Sequence, residues 1–163
     1  ENTRVYTPLE LLGRDIYIRE ACSVCHTQHI RPLFAEVQRY GPYSRAGEFV
    51  YDRPFLWGTK RTGPDLHRIG GKYSDDWHRI HFINPRDLIP NSIMPAYPWL
   101  VETPANASND IESRLNVLQK LGHPYSEDAI NDAAEQVKDK SELDALIAYM
   151  QILGTAYNYE DKP

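Results

Sequence analysis

At 163 residues, with 41% hydrophobic and 25% charged side chains, the sequence has the size and composition of one domain with a buried core. Its net charge of −5 and the lack of any concentrated basic face exclude nucleic-acid binding, and no apolar run nears the roughly 20 residues that cross a bilayer. The count of 12 Pro and 11 Tyr predicts much irregular chain pinned by prolines and aromatics.

The opening ENTRVYTP has no initiator methionine and no leader pattern, so a trimmed or mature form is expected. Thr7-Pro8-Leu9-Glu10 is a helix start in which Thr caps, Pro takes the first helical position and Glu reaches back. Leu9, Leu12, Ile16 and Ala21 continue the apolar face, which predicts a helix over 7–22 that runs into EACSVCHTQH. Residues 31–62 open with a possible short helix, then lose periodicity and read as a long ordered loop. DDWHRIHFIN at 75–84 predicts a short helix closed by Pro85, and IPNSIMPAYPWL at 89–100 is ruled by prolines.

Charge is uneven along the chain: residues 1–100 carry 13 basic against 11 acidic side chains, and residues 101–163 carry 5 against 12. Two helices are expected in the acidic stretch 101–140, one near 110–121 stopped by Gly122 and one near 127–138 capped by Ser126. The last helix, 141–154, begins on a second capping box, Ser141 to Asp144, and presents Leu143, Leu146, Ile147, Met150 and Leu153 before Gly154. No strand is expected, so the fold class is all-α with long ordered loops in a single domain spanning 1–163.

Both cysteines of the chain lie in Cys22-Ser-Val-Cys25-His26. A redox dithiol uses the same pair at a helix start within alternating strands and helices, and zinc usually draws ligand pairs from two separated segments. Covalent haem attachment accounts for the whole unit: two thiols form thioethers with the haem vinyl groups, and His26 ligates the iron. With both cysteines consumed, no disulfide is expected. Met150 falls on the apolar face of the last helix as core filler. Met94, in a proline-ruled loop with no helical face to pack on, is the candidate for the second iron ligand, an arrangement suited to electron transfer. His29, His67, His78 and His123 read as surface or structural. His81 is a candidate to approach the haem edge near the Met94 sulfur; the alternative is an exposed histidine.

Together, Cys22 to His26, Gly63-Pro64-Asp65-Leu66, Asn84-Pro85, Ile89-Pro90 and Met94-Pro95 resemble the small His/Met c-type cytochromes. That resemblance implies the cytochrome c fold, a Pro64 carbonyl that accepts the His26 ring N–H, and a crossing of first and last helices at Gly13 and Tyr149. Stretches YTPLELLGRDIYIREACSVCH, RTGPDLHRIGGKYSDDWH, MPAYPWL and ELDALIAYMQILGT are similar to the mono-haem cytochrome c subunit of the cbb-type haem-copper oxidases, across nearly the whole chain.

That family implies one haem c held by Cys22, Cys25, His26 and Met94 in a subunit that is not an enzyme alone. Electrons would come from a soluble cytochrome c, directly or through a di-haem subunit, and go to the haem b of the catalytic haem-copper subunit. It further implies an N-terminal membrane anchor missing from this chain and a place on the periplasmic side of the bacterial inner membrane. The loop 31–62 and the acidic helices are additions to a minimal cytochrome c. Tyr40, Tyr43, Phe49, Tyr51, Phe55 and Trp57 are candidates for contacts with partner subunits or for local cover of the haem, and Arg31, Trp57 and Arg61 for partners of its propionates. The rival readings are a free periplasmic shuttle, a haem gas sensor or peroxidase, and the dithiol.

Overall fold

Residues 3–158 are described by the computed structural model. Among them are eight α-helices and no strand beyond isolated bridges: α1 (Pro8–Arg19), α2 (Cys22–Cys25), α3 (Phe34–Tyr40), α4 (Asp75–Ile83), α5 (Ile111–Lys120), α6 (Glu127–Asn131), α7 (Ala133–Gln136) and α8 (Glu142–Ile152). The fold class is all-α, with the helical order and haem-attachment segment of a cytochrome c fold. Two compact units are defined by their internal contacts. One comprises Tyr17–Lys72 with described residues 3–4 and 150–158, and the other Val5–Ile16 with Tyr73–Tyr149.

Local start signals act where the sequence predicts them. The Thr7 N–H donates to Glu10 Oε2 at 2.8 Å, with Thr7 Oγ1 accepting from the Glu10 N–H at 3.4 Å. Ser74 Oγ caps α4 by accepting from the Trp77 N–H, and Ser126 Oγ caps α6 from the Ala129 N–H, each at 3.2 Å. Ser141 and Asp144 exchange bonds of 3.1 and 3.0 Å at the start of α8. Two boundaries differ from expectation. The first helix stops at Arg19 because Ala21 turns to φ 56°, in the left-handed region, before α2 begins. The helix near 127–138 is divided at Asp132, which leaves the α6 and α7 segments. Asn131 and Asp132 compete for backbone groups and so weaken a helix interior.

In the unit containing α4 to α7, the core is mostly apolar, with Glu10, Arg14, His78, His123 and Glu142 also buried. Leu11, Leu12, Ile16, Leu100, Ile111, Leu115, Ile130, Val137, Leu143 and Leu146 are buried. Gly13 permits α1 to lie directly on α8: a Cβ there would stand 1.9 Å from the Ala145 oxygen and 2.8 Å from Tyr149 Cβ. Tyr149 is itself fully buried and meets Tyr6 edge-on at 5.9 Å. The acidic stretch is tied to this core by the Tyr125 hydroxyl, which donates to the Tyr6 carbonyl at 2.8 Å, by the Arg114–Asp15 ion pair, and by the pairing of Ala105 N–H with Lys140 O at 2.8 Å. Its exposed face is anionic through Glu102, Glu112, Glu127, Asp128, Asp132 and Glu135.

The unit containing α2 and α3 has a different interior. Tyr17, Ile30, Phe49, Ile69, Met150 and Leu153 are joined by buried Thr27, Gln28, Ser44, Glu36, Glu48, Asp65 and His67. Phe49 is thus an internal residue, against Phe55 at 5.6 Å and Trp57 at 5.4 Å; Tyr43 and Phe55 remain exposed. His67 Nδ1 bonds Ser44 Oγ, and its Nε2 lies 3.4 Å from Glu48 Oε2, which also accepts from Arg68 Nη2 at 3.1 Å. Burial, then the Arg68 charge, pushes the His67 imidazolium down to about 4 against a smaller opposing pull from Glu48.

Two outcomes follow from this packing. Gly13→Ala overfills the α1–α8 crossing and is expected to cost about 3 kcal/mol or more, measured by denaturant unfolding of the haem-loaded protein. An unchanged midpoint would refute the close approach. For His67 the folded pKa lies below the unfolded one, so the unfolded chain holds more protons between about 6.5 and 4. Stability should therefore fall as pH drops through that window, by up to about 3 kcal/mol, and His67→Gln should flatten the slope. A profile for the parent protein that is flat from pH 7 to 4 would contradict the buried neutral histidine.

Candidate functional site

Cys22 and Cys25 occupy the ends of the single-turn helix α2, a separation that places both side chains on one face, and the His26 N–H closes the turn on the Cys22 carbonyl at 2.9 Å. Neither forms a disulfide. Burial, with a smaller contribution from Glu20, raises the Cys22 thiol to about 12. A dithiol catalyst uses a depressed thiol pKa that supplies thiolate, and the Cys22 shift runs the other way.

After the turn, the chain at Cys25–Thr27 pairs with 61–66. His26 bridges Arg61 in antiparallel fashion, the Gly63 N–H donates to Cys25 O at 3.1 Å, and the Leu66 N–H donates to Thr27 O at 3.0 Å. This pairing brings His26 Nδ1 to 2.8 Å from the Pro64 carbonyl. Since a carbonyl only accepts, Nδ1 carries the proton and Nε2 is left with its lone pair for a metal. A Cβ at Gly63 would fall 2.1 Å from His26 Cε1, so only glycine admits the ring here. Burial lowers the His26 pKa, which keeps the imidazole neutral as ligation requires, although the Pro64 bond acts the other way.

Several groups that sequence inspection missed hold this turn. Tyr17, 1% exposed, donates its hydroxyl to the His26 carbonyl at 2.9 Å. Thr27 Oγ1 accepts from the His29 N–H at 3.1 Å and from the Gly58 N–H at 2.9 Å. Glu36 is the hub of the loop: it accepts from the Arg31 N–H at 2.8 Å and from Arg61 Nη2 at 2.7 Å, and it pairs with the Arg31 guanidinium. Burial alone would raise its carboxyl, but the hydrogen bonds from Arg31 and Arg61 prevail and hold it at about 2. No motif marks Glu36 in the sequence, because its partners lie 5 and 25 positions away.

The other expected site residues fall as follows. Trp57 stacks on His29 at 4.2 Å with planes 6° apart, and its Nε1 is buried without a hydrogen-bond partner. Arg61 donates to Glu36, to the His29 carbonyl at 2.8 Å and to Asp65 at 3.5 Å. Arg31 is half exposed beside Glu36. In the other unit, Met94 is partly buried; its N–H donates to Ser92 Oγ at 3.2 Å and its carbonyl accepts from Arg86 Nη1 at 3.0 Å. Arg86 is a second missed residue, a clamp on the methionine loop that directly follows the Asn84-Pro85 turn. His81 stacks on Trp77 at 4.6 Å, and Trp77 stacks on Tyr73 at 4.1 Å, a ladder of i, i+4 rings along α4.

Three features of the α2 unit fit a covalent haem. Both thiols precede the histidine on a single turn, the free Nε2 of that histidine suits iron, and the orphaned Trp57 Nε1 is a buried donor that a haem carboxylate would satisfy. Among the described residues no three His, Cys, Asp or Glu side chains converge as a metal-binding cluster. Among them also, no helix is long and apolar enough to cross a membrane.

No curated protein matches the chain. Residues 1–142 match the family described as cytochrome C oxidase, mono-heme subunit/FixO, whose description carries a haem, electron transport and an oxidase complex with other subunits. With that match over most of its 163 residues, the chain belongs to the mono-haem subunit family of cytochrome c oxidase.

Proposed function

We propose that the chain is a fixed electron relay of a cbb-type oxidase. It would accept electrons from a soluble cytochrome c or a di-haem subunit and pass them to the haem b of the catalytic subunit, with no chemistry of its own beyond electron transfer. The observation that carries this reading is the His26 ring, with Nδ1 fixed on Pro64 and Nε2 left for iron, directly after the two cysteines. When bound, the haem supplies a one-electron couple.

The chain's own residues do the rest. Cys22 and Cys25 would hold the group as haem c, and His26 and Met94 would be the ligands of its iron. The Pro64 carbonyl orients His26 and raises its basicity. Arg86 fixes the backbone of the Met94 loop, so that a flexible thioether is presented from a defined position. Trp57 would donate to a propionate through Nε1, and Arg61 would have a second role there through its buried Nε, which lacks a hydrogen-bond partner. Arg31 contributes positive charge near Arg61 through their shared Glu36. His81, braced on Trp77, would be the candidate to approach the haem edge. Location on the periplasmic side, and anchoring through a membrane segment that precedes residue 1, complete the proposal. Thioether formation needs thiols handled outside the cytoplasm, which supports that side.

Ligation is tested by the optical spectrum of the oxidised protein. A weak far-red sulfur-to-iron band is expected and should vanish in Met94→Ala, with gain of carbon monoxide binding on reduction. A parent protein lacking the band, or a Met94→Ala spectrum identical to it, would overturn the assignment. Attachment is tested separately: the pigment should stay with the protein in acid acetone, and Cys22→Ala with Cys25→Ala should release it completely. Retained colour in that double variant would rule out thioethers at these positions.

A further inference from the structure

We propose that a cleft on the α3 face of the α2 unit is the socket through which another oxidase subunit holds this one, by a carboxylate-bearing apolar segment. This rests on the fixed-subunit reading. The cleft has a volume of about 420 Å³ and is walled by Ala35, Glu36, Arg39 and Tyr40 of α3 and by Arg61 and the 62–64 turn. That size suits a side chain with its flanking backbone.

Charge selects the occupant. All four carboxylates between residues 31 and 72, Glu36, Glu48, Asp52 and Asp65, are buried. Six of the eight cations of the same stretch, Arg31, Arg39, Arg45, Arg53, Lys60 and Lys72, are exposed, and the other two, Arg61 and Arg68, are half-buried in ion pairs with Glu36 and Glu48. Within the cleft, Glu36 is already bonded to Arg31 and Arg61. Arg39 makes no ion pair among the described residues; its guanidinium lies 5.2 Å from the Tyr40 ring, which Arg61 approaches from 5.2 Å as well. The face therefore offers an unneutralised guanidinium beside an aromatic wall, and an entering carboxylate meets a planar donor whose charge nothing else has claimed.

The rim supplies the apolar half. Phe34 is 84% exposed and Leu33 51%, at the head of the helix whose next residue walls the cleft. An aromatic left this bare, next to an uncommitted arginine, has the composition of an interface centre. The helix is also held in advance, since Glu36 ties it to the Arg31 backbone and to Arg61, so docking orders little chain. The floor of the cleft is the Gly63–Pro64 turn whose carbonyl fixes His26, which puts the partner's anchor next to the proposed iron ligand. A lone inorganic anion is a poorer occupant, because it leaves Phe34 and Leu33 in water.

The test uses the full-length subunit in oxidase purified from membranes in mild detergent. Parent, Arg39→Glu, Arg39→Lys and Phe34→Ala complexes are compared, with Lys138→Glu, exposed on the acidic stretch, as control. The readout is the apparent dissociation constant of the subunit, from its retention on the complex as salt is raised, with the haem spectrum as the check on folding. Arg39→Glu and Phe34→Ala should each weaken retention about tenfold or more with an unaltered spectrum, Arg39→Lys less, and Lys138→Glu not at all. Full retention of Arg39→Glu and Phe34→Ala overturns the proposal and leaves the relay reading intact. Retention that is unchanged while KM for a soluble cytochrome c donor rises assigns the face to the donor and also overturns it, as does lost sedimentation with anionic-lipid vesicles alone. A parent subunit that fails to co-purify, spectrum normal, removes the fixed-subunit reading itself.

Discussion

One hydrogen bond, from His26 Nδ1 to the Pro64 carbonyl at 2.8 Å, sets the terms for the rest of the α2 unit. It fixes which nitrogen carries the proton, and it requires that residues 61–66 run beside Cys25–Thr27 with a glycine where the ring must pass. The Tyr17 hydroxyl on the His26 carbonyl and Thr27 Oγ1 under the His29 and Gly58 amides extend that constraint outward. Side chains and loop amides, rather than a sheet, satisfy this backbone, which is why a segment with little regular structure holds the His26 ring in one orientation.

The same unit is stabilised differently from its neighbour in the chain. Around α4 to α8, capped helices close over aliphatic residues, and most of the driving force is apolar burial. Around α2 and α3, carboxylates are buried against guanidinium groups: Glu36 with Arg31 and Arg61, Glu48 with Arg68. Desolvation offsets much of the attraction in such pairs, so their contribution lies in specifying one arrangement of the irregular stretch 31–62 more than in stability. Removal of one member leaves the other charge buried and unpaired, which makes that loop sensitive to substitutions at positions with no sequence motif.

That difference also explains how much was legible beforehand. Helix starts at Thr7, Ser126 and Ser141 and the stop at Gly122 depend on neighbours three or four positions away or on one small residue and can be read from order alone, whereas the Gly13 contact with Tyr149 was expected only from the family resemblance. The break at Ala21 was not legible, because alanine is an ordinary helix former and nothing local marks its left-handed turn. Glu36, Tyr17 and Arg86 escaped notice for a similar reason: each acts on a group set by the tertiary path, and a lone charged or aromatic residue carries no periodic signal. The candidate haem-anchoring residues Cys22, Cys25 and His26 stood out since their pattern lies within five positions. Aromatics of the 31–62 loop were only partly so, as Phe49 is internal while Tyr43 and Phe55 are exposed.

An electron-transport subunit has a particular use for a polar interior of this kind. When the charge at a centre changes by one unit, mobile dipoles reorient and the accompanying reorganisation slows transfer, whereas dipoles already locked in place do not. His26 locked on Pro64, Tyr17 on the His26 carbonyl, Arg61 divided between Glu36 and the His29 carbonyl, and Trp57 stacked on His29 are all fixed by at least one directed contact. A wholly aliphatic surround would exclude water equally well but would not orient the ligand ring. The buried charges, costly as they are to desolvate, therefore serve the conditions for electron movement: a preset electrostatic environment around one histidine, and an outer surface left to cations and bare aromatics.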